Sequence, residues 1–247
     1  MSGMGTLIRE IIMRHAMFGV IVLTAAMLFC APARADFAGL VALREFPNQQ
    51  TAVGIRDVFR VYAEFTNPSD RVDTWYGTQA NPFVIQNVLA NGSPGSGFVN
   101  FNSFPFRPEI PGTPLDWETY ATLGETYEGE GGGPTFLGAS FGFPSFIDGN
   151  SLTANASVFL TSDHASQGLG SFRVIGQDTA TRVLLMQLTV LPGEHVQGTL
   201  NIGGRVVAPG GYSAFVAPLQ TFTSIPSAGS AVAMTFGLVA LRRRSRR

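Results

Sequence analysis

Few side chains in this sequence have the types and spacing for catalysis. Two histidines fall in the interior, His164 and His195, and Ser162-Asp163-His164 sets the residue types of a hydrolytic triad side by side. Neighbours on an extended chain point to opposite faces, so the tripeptide by itself is no proton relay and reads as a polar loop. Asp116 and Glu118 stand two positions apart, which on a strand puts both carboxylates on one face beside Trp117 and Tyr120. Paired carboxylates cleave glycosides, but a solvated strand face is the preferred reading. No catalytic residue is assigned and no enzyme is expected. Glu125, Glu128 and Glu130 share a glycine-rich stretch, and Asp148-Gly149-Asn150 makes a second acidic turn. Oxygen ligands of this kind suit Ca²⁺, although neither stretch has the spacing of a calcium loop. No cofactor is therefore expected, with calcium the one alternative. Trp75, Tyr76, Trp117 and Tyr120 are candidates for stacking on sugar rings, because tryptophan and tyrosine have a polar end that tolerates a wet site. Core packing is the competing reading for all four.

The elements that must position these residues read as strands. Residues 58–66 (VFRVYAEFT) place Phe59, Val61, Ala63 and Phe65 on one face and Arg60, Tyr62 and Glu64 on the other, the alternation of a half-buried strand. Asn67-Pro68-Ser69-Asp70 ends it as a turn. Further strands are expected at 37–44, 72–76, 83–89, 97–101, 118–124, 151–160, 171–175 and 212–216. Residues 182–191 (RVLLMQLTVL) fit a central strand buried on both faces. Residues 196–207 follow, with Val196, Leu200 and Ile202 inward and Gln197, Thr199 and Asn201 outward. These two segments are expected to form an antiparallel pair joined around Pro192-Gly193-Glu194. Residues 91–114 and 125–144, rich in glycine, proline and phenylalanine, read as surface loops. About ten short strands with regular turn signals predict an all-β fold, an antiparallel β-sandwich of jelly-roll-like or immunoglobulin-like type.

Charge is distributed unevenly. Of the 16 arginines, three lie within residues 1–35 and five at the C-terminus, so residues 36–223 hold eight against 16 carboxylates, a formal charge of 8 − 16 = −8. Such a body disfavours nucleic acid and anionic lipid as partners. Lysine is absent, and the one cysteine, Cys30, lies in the leading segment. The body therefore has no disulfide and no thiolate metal site to stabilise it.

Both ends read as addresses. Arg9, Arg14 and His15 precede an uncharged apolar run at 17–30, and Ala31-Pro32-Ala33-Arg34-Ala35 follows. This is the pattern of a secretory signal peptide, with Ala33 and Ala35 at the recognised positions and Asp36 as the new N-terminus. The run is shorter than the roughly 20 residues of a membrane span, which favours a cleaved signal over an anchor. At the other end, Ile225-Pro226-Ser227-Ala228-Gly229 precedes the uncharged run 230–241, and Arg242, Arg243, Arg244, Arg246 and Arg247 close the chain. Arginines after an apolar helix stay on the cytoplasmic side. This tail resembles the PEP-CTERM class of bacterial sorting signals, in which a Pro-Glu-Pro motif precedes one hydrophobic helix and an arginine-rich end; here one proline, Pro226, stands in the motif's place. The resemblance implies processing by an exosortase-type membrane protease. Residues 60–72 and 184–190 are similar to uncharacterised secreted bacterial proteins with comparable tails. The domains expected are thus 1–35, a signal helix; 36–223, the β-domain; and 224–247, a hydrophobic sorting helix with its basic tail. The resulting expectation is an exported, transiently membrane-anchored protein of the cell surface or extracellular matrix, structural or adhesive in role. A carbohydrate-binding module is the alternative and a glycan-active enzyme the third. The expected partners are the membrane, the protease and polysaccharide.

Overall fold

The alternation at residues 58–65 produces a strand, and its neighbours organise the molecule around it. The computed structural model describes residues 36–99, 117–124, 137–139, 149–160, 168–175 and 178–225, and these contain no α-helix. They form β1 (Phe37–Thr51), β2 (Gly54–Phe65), β3 (Arg71–Tyr76), β4 (Phe83–Val88), β5 (Tyr120–Ala121), β6 (Leu137–Ala139), β7 (Ser151–Ala154), β8 (Ser157–Leu160), β9 (Ser171–Ile175), β10 (Asp178–Val190), β11 (His195–Ala208) and β12 (Gly211–Thr223). All pairings are antiparallel and fall into two sheets. In the first, β1 pairs with β2 and β2 with β10, and the far edge of β10 is shared by β9 and β5. The second is centred on β11. One edge of β11 carries β12, and the other carries β3 and β4 end to end. Beyond β3 lie β8 and β6, and beyond β4 lies β7.

The two sheets contribute to one apolar core. Phe59, Val61, Ala63, Phe65, Val183 and Met186 enter it from the first sheet, and Trp75, Phe83, Ile85, Leu200, Ile202 and Phe222 from the second. Each large side chain so buried stabilises the fold by roughly 1.5–3 kcal/mol before entropy is counted. The first sheet is closed on its other face as well, since Val58, Tyr62, Leu184 and Thr189 are also buried. The double burial expected of residues 182–191 is therefore found in β10. The second sheet keeps an open face, where Thr153, Val216, Thr221 and Thr223 are exposed.

Several expectations are corrected. β10 and β11 do not pair. Both edges of β10 are taken by β2 and by β5 and β9, so the chain at Pro192-Gly193-Glu194 crosses to the other sheet. Side chains fix that crossing. The Glu194 carboxylate accepts from the Leu191 N–H (3.1 Å), the Ser96 N–H (2.7 Å) and the Asn87 amide (2.8 Å). The Gly193 N–H donates to Asp57 at 3.0 Å. The partner of β11 is β12, joined through Pro209-Gly210 and running well beyond the expected 212–216. β1 continues past Pro47-Asn48 because register shifts between Arg44 and Phe46 and between Phe46 and Gln49 absorb the irregularity. Residues 151–160 are two strands: β7 pairs with β4 and β8 with β3, separated at Asn155-Ala156. Strand 118–124 shrinks to β5, residues 97–99 are not a strand, and β6 lies inside the expected loop 125–144. The signal and tail segments fall outside the described residues, apart from Ser224 and Ile225.

Candidate functional site

The four stacking candidates do not form one platform. Trp75 is fully buried, donates its indole N–H to the Thr122 carbonyl at 3.2 Å and meets Phe83 edge-on at 5.5 Å between ring centroids. Tyr120 is 2 % exposed. Neither offers a ring face to a ligand, so the core reading holds for both. Tyr76 is half-buried on the open face of the second sheet. Trp117 is half-buried against the first sheet, with its ring edge-on to Phe46 at 5.1 Å. Asp36 heads β1, exposed, and its N–H donates to the Thr66 hydroxyl at 2.9 Å. Ala33, Ala35, Pro226 and the five terminal arginines lie outside the described residues, as do Ser162, Asp163, His164, Asp116, Glu125, Glu128, Glu130 and Asp148. Glu118 is not on a solvated strand face: it precedes β5 and is buried.

Where Trp117 and Tyr120 sit, the structure assembles a charged and aromatic cluster on the outer face of the first sheet. Glu45 stands at the β1 bulge. It accepts from the Tyr62 hydroxyl and from Arg60 at 3.2 Å. Arg60 also donates to Gln187 at 3.1 Å and lies over the Phe46 ring, 5.1 Å from its centroid. Gln187 in turn donates to the Glu118 carbonyl at 2.9 Å. Burial, reinforced by the Glu45 charge, pushes the Tyr62 hydroxyl far above the ordinary tyrosine range. A tyrosine, a carboxylate and a guanidinium form a set that could move protons, but here they bond to one another. What they accomplish is to tie β1, β2, β10 and the approach to β5 together.

The open face of the second sheet differs. A concavity of about 440 Å³ crosses β4, β11 and β12 and is bordered by Leu40 and Val41 of β1. Pairing register explains its floor. Val84, Thr199 and Thr221 stand opposite one another across three strands, and Gln86, Gln197 and Thr223 form the next row. Their alternate neighbours Ile85, Val196, Leu200 and Phe222 point into the core, so these two rows must face out. Thr153 and Ser151 of β7 extend the same rows and are exposed. Gln197 donates to Gln86 at 3.0 Å. Among the described residues, the other half of each carboxamide and the hydroxyls of Thr199 and Thr221 have no hydrogen-bond partner in the protein, and no charged side chain lines the floor. The outward direction of Gln197 and Thr199 is legible in the sequence. Their convergence with Gln86, Thr221 and Thr223 is not, because it depends on which strands flank β11.

Two further features stand apart from the groove. His195 opens β11 with its ring 6.5 Å from that of Phe59 and its Nδ1 3.5 Å from the Ser224 hydroxyl. Residues 138–142 read Gly-Ala-Ser-Phe-Gly, the letters of a hydrolase nucleophile elbow. That device needs a strand-to-helix turn, whereas Gly138 and Ala139 end an outermost strand of an antiparallel sheet and Ser140 lies outside the described residues. Compared with protein-family models, with curated proteins and with solved structures, the chain matches none.

Proposed function

We propose that this chain is an exported protein of the cell surface or extracellular matrix, without catalysis of its own, whose body is a β-sandwich with a structural or adhesive role. The sandwich reading rests on two antiparallel sheets sharing one core and on a chain that crosses repeatedly between them. The chain passes from the first sheet (β1, β2) to the second (β3, β4), back to the first (β5), to the second (β6, β7, β8), to the first (β9, β10) and finally to the second (β11, β12), and this repeated crossing supports the jelly-roll-like arrangement over the immunoglobulin-like one.

The observation that carries the function is the join between body and tail. β12 ends at Thr223, and Ser224 is still tied to β11, its N–H donating to the Val196 carbonyl at 2.8 Å and its hydroxyl accepting from the Val196 N–H at 2.9 Å. The proline-bearing turn, apolar run and five arginines follow at once. A membrane segment there holds the domain close against the bilayer, with no long linker, until an exosortase-type protease releases or re-anchors it.

Mass spectrometry of both termini of the protein recovered from its native cells tests this. A start at Asp36 and an end near Pro226 are expected. An intact Arg247 makes the tail a standing anchor and removes the sorting reading. Retention of residues 1–35 on a cytoplasmic protein overturns export altogether.

A further inference from the structure

We infer that the concavity across β4, β11 and β12 binds a neutral polysaccharide chain. The inference deepens the adhesive reading and takes its cellular setting from it, but the groove's own chemistry carries the argument. The volume of about 440 Å³ falls within the roughly 300–1,000 Å³ of small-molecule sites. Its two rows supply the carboxamides of Gln86 and Gln197 and the hydroxyls of Thr199, Thr221 and Thr223. The Gln197–Gln86 hydrogen bond leaves the whole NH2 group of one amide and the carbonyl oxygen of the other free, whichever way the amides are turned. The hydroxyls of Thr199 and Thr221 each donate and accept. A ligand that matches this set carries many groups of both kinds at short spacing and no net charge, as sugar hydroxyls do. Val84, Leu40 and Val41 and the threonine methyls give apolar surface for the ring faces.

Charge narrows the occupant further. The floor is uncharged and the body around it has a formal charge of −8, eight arginines against 16 carboxylates. An anionic polymer meets no cation in the groove and a repelling field outside it. The rows continue onto Thr153 and Ser151, so the surface runs across the strands and suits an extended chain better than a single small molecule.

Affinity electrophoresis of the purified full chain in mild detergent, through gels containing hydroxyethyl cellulose, dextran or alginate, tests the inference. Retardation by a neutral polymer and free migration in alginate are expected. The double substitution Thr199→Val and Thr221→Val keeps shape and removes both hydroxyls, and is expected to weaken binding roughly tenfold or more with an unchanged melting temperature. Should the double variant not fold, Gln197→Ala carries the same test. Three results overturn the inference: no retardation in either neutral polymer, retardation in alginate as strong as in the neutral gels, or variants that bind like the parent. Self-association that is lost in the variants assigns the groove to a second copy of the chain and also overturns it. A protein correctly exported and trimmed that fails these tests refutes the groove and leaves the surface reading standing.

Discussion

At the residue scale, the polar groups buried in this protein act as ties between strands, and Asp57 is the clearest. It is fully buried on β2 and accepts from Arg44 (2.8 Å), the Asn48 N–H (2.9 Å) and the Gly193 N–H (3.0 Å). One carboxylate therefore holds the left-handed Asn48 bulge of β1 and the crossing between sheets. Asp57→Ala strands two backbone donors, each costing roughly 1–3 kcal/mol, and is expected to lower stability by about 2–5 kcal/mol in urea unfolding. A loss under about 1 kcal/mol would mean that water reaches both donors. Tyr62→Phe is a gentler probe. Glu45 keeps Arg60, so the expected loss is about 1–2 kcal/mol, and the absorbance titration of tyrosine should lose no group ionising before alkaline unfolding, because Tyr62 is held protonated there. Such ties were only partly legible in the sequence. The alternation along residues 58–66 puts Arg60, Tyr62 and Glu64 on the side away from Phe59 and Val61, but a polar side does not declare whether it is wet. Tyr62 is buried because the far face of this sheet is covered. Trp75, read as a possible sugar platform, is in the core for the complementary reason: its neighbours Thr74 and Tyr76 take the open face.

At the element scale, strands with a clean period of two were legible, and their partners were not. β2, β3, β4, β9, β10 and β11 lie within a few residues of where alternation or apolar content put them. The expected β10–β11 hairpin fails because loop length alone does not distinguish a turn within a sheet from a crossing between sheets; the capture of Gly193 by Asp57 and of Leu191 by Glu194 decides it, and both partners are distant or local contacts invisible to periodicity. The proline and asparagine at 47–48 look like a strand end but are accommodated by bulges. Glycine in β11 is a second such case. A Cβ at Gly198 would meet the Phe222 ring at 2.6 Å and collide with the Val84 carbonyl. Both neighbours are fixed, Phe222 in the core and Val84 in the ladder, so Gly198→Ala is expected to cost about 1–3 kcal/mol, more than an alanine gains in a strand interior. A melting temperature unchanged by this substitution would show that β4 and β12 are able to part around the methyl.

At the scale of the whole molecule, stability rests on one shared core and on a few ionised carboxylates where the sheets are joined, which fixes its response to acid. Burial, the largest single influence on Asp57 and on Glu194, pushes both carboxyls up. The hydrogen bonds they accept outweigh it: from Asn48, Gly193 and Arg44 for Asp57, and from Asn87, Ser96 and Leu191 for Glu194. Both are held below their ordinary values of 3.8 and 4.5. A carboxyl that binds its proton more weakly when folded stabilises the fold fully above its unfolded pKa, and that contribution disappears as pH falls through the lower, folded value. Asp70 runs the other way. Burial raises it, against the Val207 N–H it accepts at 2.8 Å, so protonating it favours the folded state and offsets part of the loss. The two depressed carboxyls hold the crossing between the sheets, through Gly193 and Leu191, so their loss is expected to dominate and stability to decline. The urea midpoint is expected to hold from neutrality down to the ordinary carboxyl range and to fall between about pH 4 and pH 2. The double variant Asp57→Asn and Glu194→Gln should be less stable near neutrality yet lose less over that acid interval, because the groups that titrate there are gone. A parent midpoint that rises on acidification would make Asp70 and the repulsion among 16 carboxylates the dominant influences. In that case the crossing at Pro192-Gly193-Glu194 would be held by its backbone geometry rather than by charge.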